Sequence, residues 1–240
     1  MKKIIKQLLL LYFLGFSLIS YSQEKAIWDY PIKPGTEEWK KIETHKTMVE
    51  VCQIPEHILY GINTKNLVTL CLQYPLLYDI LVFDNCNDGL KKLFSDFNGI
   101  RELSKREEAL TYLQDIYLAE IGGFKKKLDS GSDLDIGYTI MNISTIELLL
   151  GYSDFNENFS KENHKKTLNI LLFGYFEKIK YPESFQGIGF TTNLFARAHV
   201  ALQIDPTLSK IFDGKEILFS GRSDADLINV LDRLSNKLTK

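Results

Sequence analysis

The chain has 240 residues, of which 45% are hydrophobic, 12% aromatic and 25% charged. These fractions are ordinary for a folded globular protein, and they exclude a disordered, collagen-like or low-complexity chain. The 29 Lys and Arg residues against 31 Asp and Glu residues leave a formal net charge of −2, so no basic excess indicates a nucleic-acid partner or an anionic membrane surface.

Residues 1–22 have the pattern of a secretory signal peptide. Three lysines precede an apolar run at 8–19, which is shorter than the roughly 20 residues that a membrane-spanning helix needs. The small residues Ser20 and Ser22 favour cleavage before Gln23. We therefore predict an exported protein of the periplasm or cell surface with no transmembrane segment in the mature chain; an uncleaved N-terminal anchor is the alternative.

The mature chain is predicted to begin with an extended arm. Pro31 and Pro34 block regular structure in residues 23–35. We expect the aromatic side chain of Trp28 to hold this arm against the body of the protein. No linker rich in Pro, Gly or Ser divides residues 23–240, so a single domain is predicted.

Capping residues and helical periodicity predict helices along the rest of the chain. The expected helix starts are Thr36, Asn63 or Thr64, Ser104 with Glu107 as a capping box, Ser132, Ser160 and Ser223.

The helix from Ser104 is expected to end at the glycine pair 122–123. The helix from Ser132 is apolar on nearly every face, which is typical of a helix at the centre of a core. Only residues 216–219 have strand character. The fold class is therefore predicted as all-α: eight to ten helices in an antiparallel bundle or an irregular array of helical hairpins, with the N-terminal arm.

The three cysteines Cys52, Cys71 and Cys86 leave at least one thiol without a disulfide partner. Cys71 lies in an apolar helical run, so a buried and inert thiol is its ordinary interpretation. One disulfide within the set and a catalytic thiol are the alternatives. The sequence does not decide whether two of the three are joined.

Histidines and acidic loops give no strong site. His45, His57, His164 and His199 do not form the two-histidine zinc motif, and His199 falls on an apolar face, which favours a core position.

One acidic loop is similar to the start of a calcium-binding loop. It has the pattern Asp154-x-Asn156-x-Asn158, but Phe159 stands where Gly is required and Lys165 where a bidentate Glu belongs. We interpret this segment as a solvated loop. We therefore predict no catalytic residue, no metal site and no cofactor.

A dense cluster of charges runs from Arg101 to Glu108 and includes Arg106. A solvated helical face with ion pairs is the ordinary interpretation, and a patch that binds a partner is the alternative.

Three short stretches carry a resemblance: QIPE at 53–56, LQYPLLYD at 72–79 and FNGIREL at 97–103. Together with the arm at 28–39, they resemble uncharacterised exported proteins of Bacteroidetes over residues 28–110. This resemblance implies a bacterial envelope setting. The family has no established activity, so it implies no catalytic residue.

The sequence leaves two classes of function open. A non-catalytic binding or scaffolding protein of the bacterial envelope is the first hypothesis, with another envelope protein or a glycan as partner. An enzyme with a site assembled from residues distant in sequence is the alternative. A deep polar pocket that joins perturbed acids or a His would favour the enzyme, whereas a broad groove or an exposed apolar patch would favour binding.

Overall fold

The computed structural model describes residues 28–83, 85–152, 155 and 159–208. Every regular element within these residues is helical, which confirms the all-α prediction. The α-helices are α1 (Glu37–Lys40), α2 (His45–Val51), α3 (Glu56–Leu59), α4 (Thr64–Leu72), α5 (Cys86–Asp96), α6 (Asn98–Leu103), α7 (Ala109–Ser130), α8 (Asp133–Gly151), α9 (Lys161–Lys178), α10 (Pro182–Phe185) and α11 (Ile188–Ile204). Two short 3-10 helices span Leu77–Val82 and Pro206–Leu208.

Four long helices form a bundle in the second half of the chain. Helix α11 packs along α8 and α9, and α7 closes the ring by packing on α8 and α9. A Cβ at Gly151 would approach the Cα of Ala196 to 2.5 Å, so glycine allows α8 and α11 their close approach. Helix α8 also contacts α5, and its residues 143–151 are all buried. Burial on several sides explains why its sequence is apolar all round.

The first half of the chain packs on this bundle. Helix α4 contacts α6 and α7, while α5 contacts α6 and the 77–82 3-10 helix. One connected hydrophobic core joins both halves, from Tyr30 to Ile204.

The described part of the N-terminal arm lies against the body, as predicted. Trp28 is half-buried and packs edge-on against Tyr30, with 4.9 Å between ring centroids. Tyr30 is the stronger anchor, because its ring is buried and its hydroxyl donates a 2.9 Å hydrogen bond to the carbonyl of Leu70.

The predicted caps are confirmed at four helices. The side chains of Thr36, Asn63, Ser132 and Ser160 each accept a hydrogen bond from a backbone N–H of the first turn. Ser132 also forms a capping box with Asp135.

The predicted limits of α7 are wrong at both ends. Ser104 does not cap it: this residue follows the end of α6, and its hydroxyl donates to the carbonyl of Arg101. Helix α7 begins at Ala109 and continues past Gly122 and Gly123 to Ser130. Packing of its buried face against α8 and α9 outweighs the low helix propensity of the two glycines.

Several sequence predictions fall outside the described residues. They are the signal peptide at 1–22, the Asp154, Asn156 and Asn158 positions, the strand-like 216–219 and the helix expected from Ser223. Among the helices that are described, none is long and apolar enough to cross a membrane.

Candidate functional site

The candidate site is a surface pocket of about 300 Å³ between α2, the 77–82 3-10 helix and α5. Its lining is mainly apolar and includes Val49, Leu76, Ile80, Val82, Phe83, Gly89 and Leu93. Tyr74 and the titratable side chains of His45, Asp79, Lys92 and Asp96 complete the lining. An apolar cavity with a few polar groups is the usual form of a small-molecule site.

Two local features shape the pocket. Pro75 cannot extend α4 and directs the chain into the 3-10 helix, where Leu76, Asp79 and Ile80 face the cavity. A Cβ at Gly89 would clash with the carbonyl oxygen of Ile80. Glycine at position 89 therefore lets α5 approach the 3-10 helix closely enough to form one wall.

A pair of amide side chains fixes the opposite wall. Gln53, just after α2, donates through Nε2 to the carbonyls of Val49 and Asp96 at 2.7 and 2.9 Å. Its Oε1 accepts from the backbone N–H of Asn98, and Asn98 in turn bonds the backbone N–H and carbonyl of Ile54. These bonds tie the end of α5 to the end of α2. They thereby set the width of the pocket between Val49 and Asp96.

A histidine–carboxylate contact and an ion pair line the pocket. His45 Nε2 lies 3.0 Å from Asp79 Oδ2, and Lys92 Nζ lies 2.7 Å from Asp96 Oδ2. Burial raises the pKa of Asp96, but hydrogen bonds from Lys92 and Ser95 and the charges of Lys92 and His45 outweigh burial and leave it below 3.8. Asp96 is therefore a carboxylate at neutral pH, suited to accept hydrogen bonds and unsuited to donate a proton.

Tyr74 supplies a polar atom that has no hydrogen-bond partner among the described residues. Its side chain is only 4% exposed, its ring stacks on Phe97 at 3.9 Å, and its buried hydroxyl contacts no donor or acceptor in the described part of the chain. Burial raises the pKa of Tyr74 well above its ordinary value, and the nearby charges of Asp96 and Asp79 raise it further. A buried hydroxyl without a partner is unfavourable unless a bound molecule supplies the bond.

Comparisons with known proteins give no relative. The chain matches no family model, no curated protein and no solved structure. The site therefore rests on its own geometry.

A second group of polar side chains lies inside the bundle, centred on Glu147 of α8. Lys178 Nζ lies 2.5 Å from Glu147 Oε2 and also donates to the carbonyl of Gly189. Tyr117, Thr192 and Asn193 donate to the same carboxylate at 2.6, 2.7 and 2.8 Å. Both charged side chains are fully buried. Buried charges destabilise a fold unless they are paired and hydrogen-bonded, as they are here.

The Glu147 network lies away from both surface cavities. None of its members lines the pocket described above or the wider cleft beside α9. Burial lowers the pKa of Lys178 although Glu147 opposes the shift, and burial together with Glu147 raises the pKa of Tyr117. The network joins α7, α8, α9 and α11, so its role is to fix the packing of the bundle.

The three cysteines are free and buried. Burial raises the pKa of Cys52 to about 11 and that of Cys86 to about 12, and it raises the pKa of Cys71 further. Thiols with raised pKa values carry little thiolate at neutral pH and are poor nucleophiles. The inert interpretation of Cys71 is the one that the structure supports.

His199 lies half-buried beside the core, so the predicted core position is only partly reached. Its Nδ1 lies 2.9 Å from the carbonyl of Phe195, and its ring stacks on the Phe195 ring at 4.0 Å. Within the described part of the chain, no three His, Cys, Asp or Glu side chains are grouped to hold a metal ion.

The arginines of the 101–108 charge cluster serve the fold. Arg101 donates to the carbonyls of Phe94 and Ser95 at the end of α5. Arg106 donates to the carbonyls of Leu59 and Ile62 beyond α3 and also bonds Glu102. Both arginines thus satisfy carbonyls that a helix end leaves without a partner. Arg106 and Glu102 form an ion pair and are partly buried, while the other charged residues of the cluster are exposed, as a solvated face predicts.

Sequence reasoning missed the pocket residues. His45 and Asp79 lie 34 positions apart, and no motif joins them. Pro75 breaks the helix after Tyr74, and Leu77 and Ile80 beyond it are buried. That break is the one local signal near the pocket, and it does not predict which side chains line a cavity.

Proposed function

We propose that this chain is a non-catalytic binding protein of the bacterial envelope. The pocket between α2, the 77–82 3-10 helix and α5, here named the α2–α5 pocket, binds a small molecule. That molecule has a compact apolar body and one hydrogen-bonding end. The observation that carries the proposal is a mainly apolar cavity of about 300 Å³ lined by Tyr74, whose buried hydroxyl has no hydrogen-bond partner among the described residues. The size is at the lower end of the range of roughly 300–1,000 Å³ for ligand pockets.

The lining favours an apolar molecule over a glycan. Apolar side chains such as Val49, Ile80 and Leu93 form most of the wall and match an aliphatic or aromatic body. A sugar ring would need a hydrogen-bond partner for each hydroxyl group, and most of the described lining is apolar. A hydroxyl or amine group suits the polar side chains of the lining, which include Tyr74, Asp79 and Asp96.

The envelope setting is part of the same proposal. It is supported by the signal-peptide pattern of residues 1–22 and by the resemblance over residues 28–110. An intact-mass measurement on protein from a bacterial host tests it: loss of residues 1–22 supports export, and their retention contradicts it.

An enzyme is the second candidate, because His45 and Asp79 form a histidine–carboxylate pair at the pocket. A carboxylate can orient an imidazole as a general base. Two observations favour binding instead. The side chain of His45 is 49% exposed at the rim, and the described lining carries no Ser, Thr or Cys nucleophile for it to activate.

The proposal can be tested with three probes that share a phenylbutyl skeleton and differ in the terminal group. 4-Phenyl-1-butanol and 4-phenylbutylamine carry a hydrogen-bonding end, and butylbenzene does not. We expect calorimetry on residues 23–240 to show that Tyr74→Phe lowers the affinity for the alcohol or the amine by about 5- to 10-fold. This is the usual effect of one lost hydrogen bond. Butylbenzene should be unaffected by the same change.

Tyr60→Phe is the matched control, since Tyr60 is 66% exposed and outside the pocket. It should leave all three affinities unchanged. Equal losses in both variants, or no binding of any probe to the wild type, would contradict a pocket for this class of molecule. Conversion of the bound alcohol or amine to a new product would favour the enzyme, and loss of that turnover in His45→Gln would assign it to the pair with Asp79.

A further inference from the structure

Helix α9 carries an apolar patch on its solvent side. Phe173, Phe176 and Ile179 are 44%, 51% and 46% exposed, and they follow one another at three-residue spacing. The sequence pattern places Phe176 and Ile179 on the same stripe as Leu168 and Leu171, which are fully buried. In the structure the stripe divides, because α7 and α11 cover only one side of α9. The three exposed side chains, here named the α9 patch, lie on the other side.

A cleft of about 630 Å³ lies beside the α9 patch and shares Phe173 with it. Leu118 and Ile170 give it an apolar floor, and at its other end Lys165 and Lys166 outnumber Glu162, which leaves that end with a net positive charge. The surface therefore changes along α9 from basic at the N-terminal half to apolar at the C-terminal half. An exposed apolar surface of this kind on a soluble domain is typical of a contact site.

We propose that the C-terminal segment 223–240 of the same chain docks on this surface as a helix parallel to α9. This segment lies outside the described residues. Its sequence has leucines at 227, 231, 234 and 238 after the capping residue Ser223, the pattern of a helix with one apolar face. Such a helix needs a surface that covers its apolar face.

The reach of the chain fits this arrangement. Lys178 of α9 bonds the carbonyl of Gly189, and the carbonyl of Leu171 accepts from Asn193, so α11 runs antiparallel to α9. The chain therefore leaves the last described residue, Leu208, near the N-terminal end of α9. The 14 residues from 209 to 222 can span up to about 46–50 Å, which is ample to bring residue 223 to that end. An 18-residue helix is about 27 Å long, the length of α9 itself.

Charge selects the parallel direction. When residue 223 lies at the start of α9, Asp224 and Asp226 lie at the end of the cleft where Lys165 and Lys166 outnumber Glu162. In the same register the later leucines reach the α9 patch. The antiparallel direction would instead bring Lys237 to the two lysines, which like-charge repulsion disfavours.

Photo-crosslinking tests the proposal on the chain 23–240. p-Benzoyl-phenylalanine at position 176 should crosslink to the peptide that contains residues 223–240, and the same group at the exposed position 60 should not. A mixture of normal and isotopically heavy chains identifies the source, because a crosslink within one chain gives no mixed species. The proposal predicts intramolecular products only.

A double change, Leu231→Asp with Leu234→Asp, should abolish the crosslink, while Asn229→Asp and Asn236→Asp, which add the same charge outside the leucine positions, should retain it. Mixed normal–heavy products would show that a second copy covers the patch and would overturn the proposal. So would a product at any other segment, the absence of any product, or a crosslink that survives the leucine changes. Circular dichroism of each variant checks that the helical body is intact.

Discussion

The hydroxyl of Tyr117 occupies the space that a Cβ at Gly174 would need. Tyr117 donates from this position to Glu147, so the absence of a side chain at residue 174 of α9 allows the bond between α7 and α8. A glycine inside a long helix lowers helix stability by roughly 1 kcal/mol relative to alanine. Here that local effect is outweighed by the hydrogen bond and the close packing it permits.

Gly174→Ala is therefore expected to destabilise the protein although alanine is the better helix former. The added methyl group must displace Tyr117, and overpacking of this kind costs about 1–3 kcal/mol. Gly122→Ala is the matched control, because a Cβ there meets nothing within 4 Å and α7 continues through the position. Thermal unfolding should show a lower midpoint for the first variant and an equal or higher one for the second. A raised midpoint for Gly174→Ala would contradict the steric account.

The buried pair of Glu147 and Lys178 should show strong coupling. Lys178→Met leaves Glu147 charged and without its cation, and Glu147→Leu leaves Lys178 without its anion; each should cost about 3–5 kcal/mol. The double variant should lose clearly less than the sum, since neither charge then stays buried alone. Urea denaturation of the four proteins measures the coupling. Additive losses would show that the pair does not act as a unit.

The stability of the protein should depend on pH through His199. Burial lowers the pKa of His199 below its ordinary value of 6.5, and the hydrogen bond to the carbonyl of Phe195 offsets this only in part. The unfolded chain therefore binds a proton at His199 more readily than the folded one. Its stabilising contribution is complete above pH 6.5 and is lost as pH falls through the lower folded pKa.

Urea denaturation between pH 8 and pH 5 measures this dependence. The pKa values of Asp29, Asp96 and Asp135 are lowered below 3.8, so their contributions are lost only at more acidic pH. His199→Gln should flatten the profile between pH 7 and pH 5. A profile as steep as that of the wild type would assign the dependence to other groups.

The arm should contribute to stability mainly through Tyr30. Deletion of residues 23–34 removes the buried ring of Tyr30 and the packing of Trp28, so the thermal midpoint should fall by several degrees. Tyr30→Phe keeps the ring but loses the hydrogen bond to the Leu70 carbonyl. It should lower the free energy of unfolding by about 1 kcal/mol. An unchanged midpoint after the deletion would show that the contacts of the arm do not stabilise the protein.

Local rules were sufficient for the helices and their caps. The side chains of Asn63 and Ser160 cap α4 and α9 as their types predict, and the apolar sequence of α8 placed it in the core. The same rules failed at Ser104 and at Gly122, where contacts between helices decided the limits of α7. A local pattern carries no information about which neighbours cover a helix, and the division of the α9 stripe at Phe176 has the same cause.

The candidate site was beyond sequence reasoning for a different reason. The pocket needs His45, Asp79 and Asp96 from three elements, and hydrogen bonds of Gln53 and Asn98 hold those elements in place. No fixed spacing encodes such an arrangement. The resemblance covered both amide residues, in the 53–56 and 97–103 stretches, but implied no role for either.

The central claim is that the α2–α5 pocket is the binding site, and amide chemical-shift mapping tests it most directly. Labelled protein 23–240 is titrated with 4-phenyl-1-butanol, with Val82→Trp as the blocked variant, because Val82 is 79% exposed at the pocket and a larger side chain can fill it without disturbing the core. We predict saturable shifts confined to α2, residues 74–83 and α5, and their loss in Val82→Trp. Shifts centred on another surface, or unchanged shifts in the blocked variant, would contradict the account.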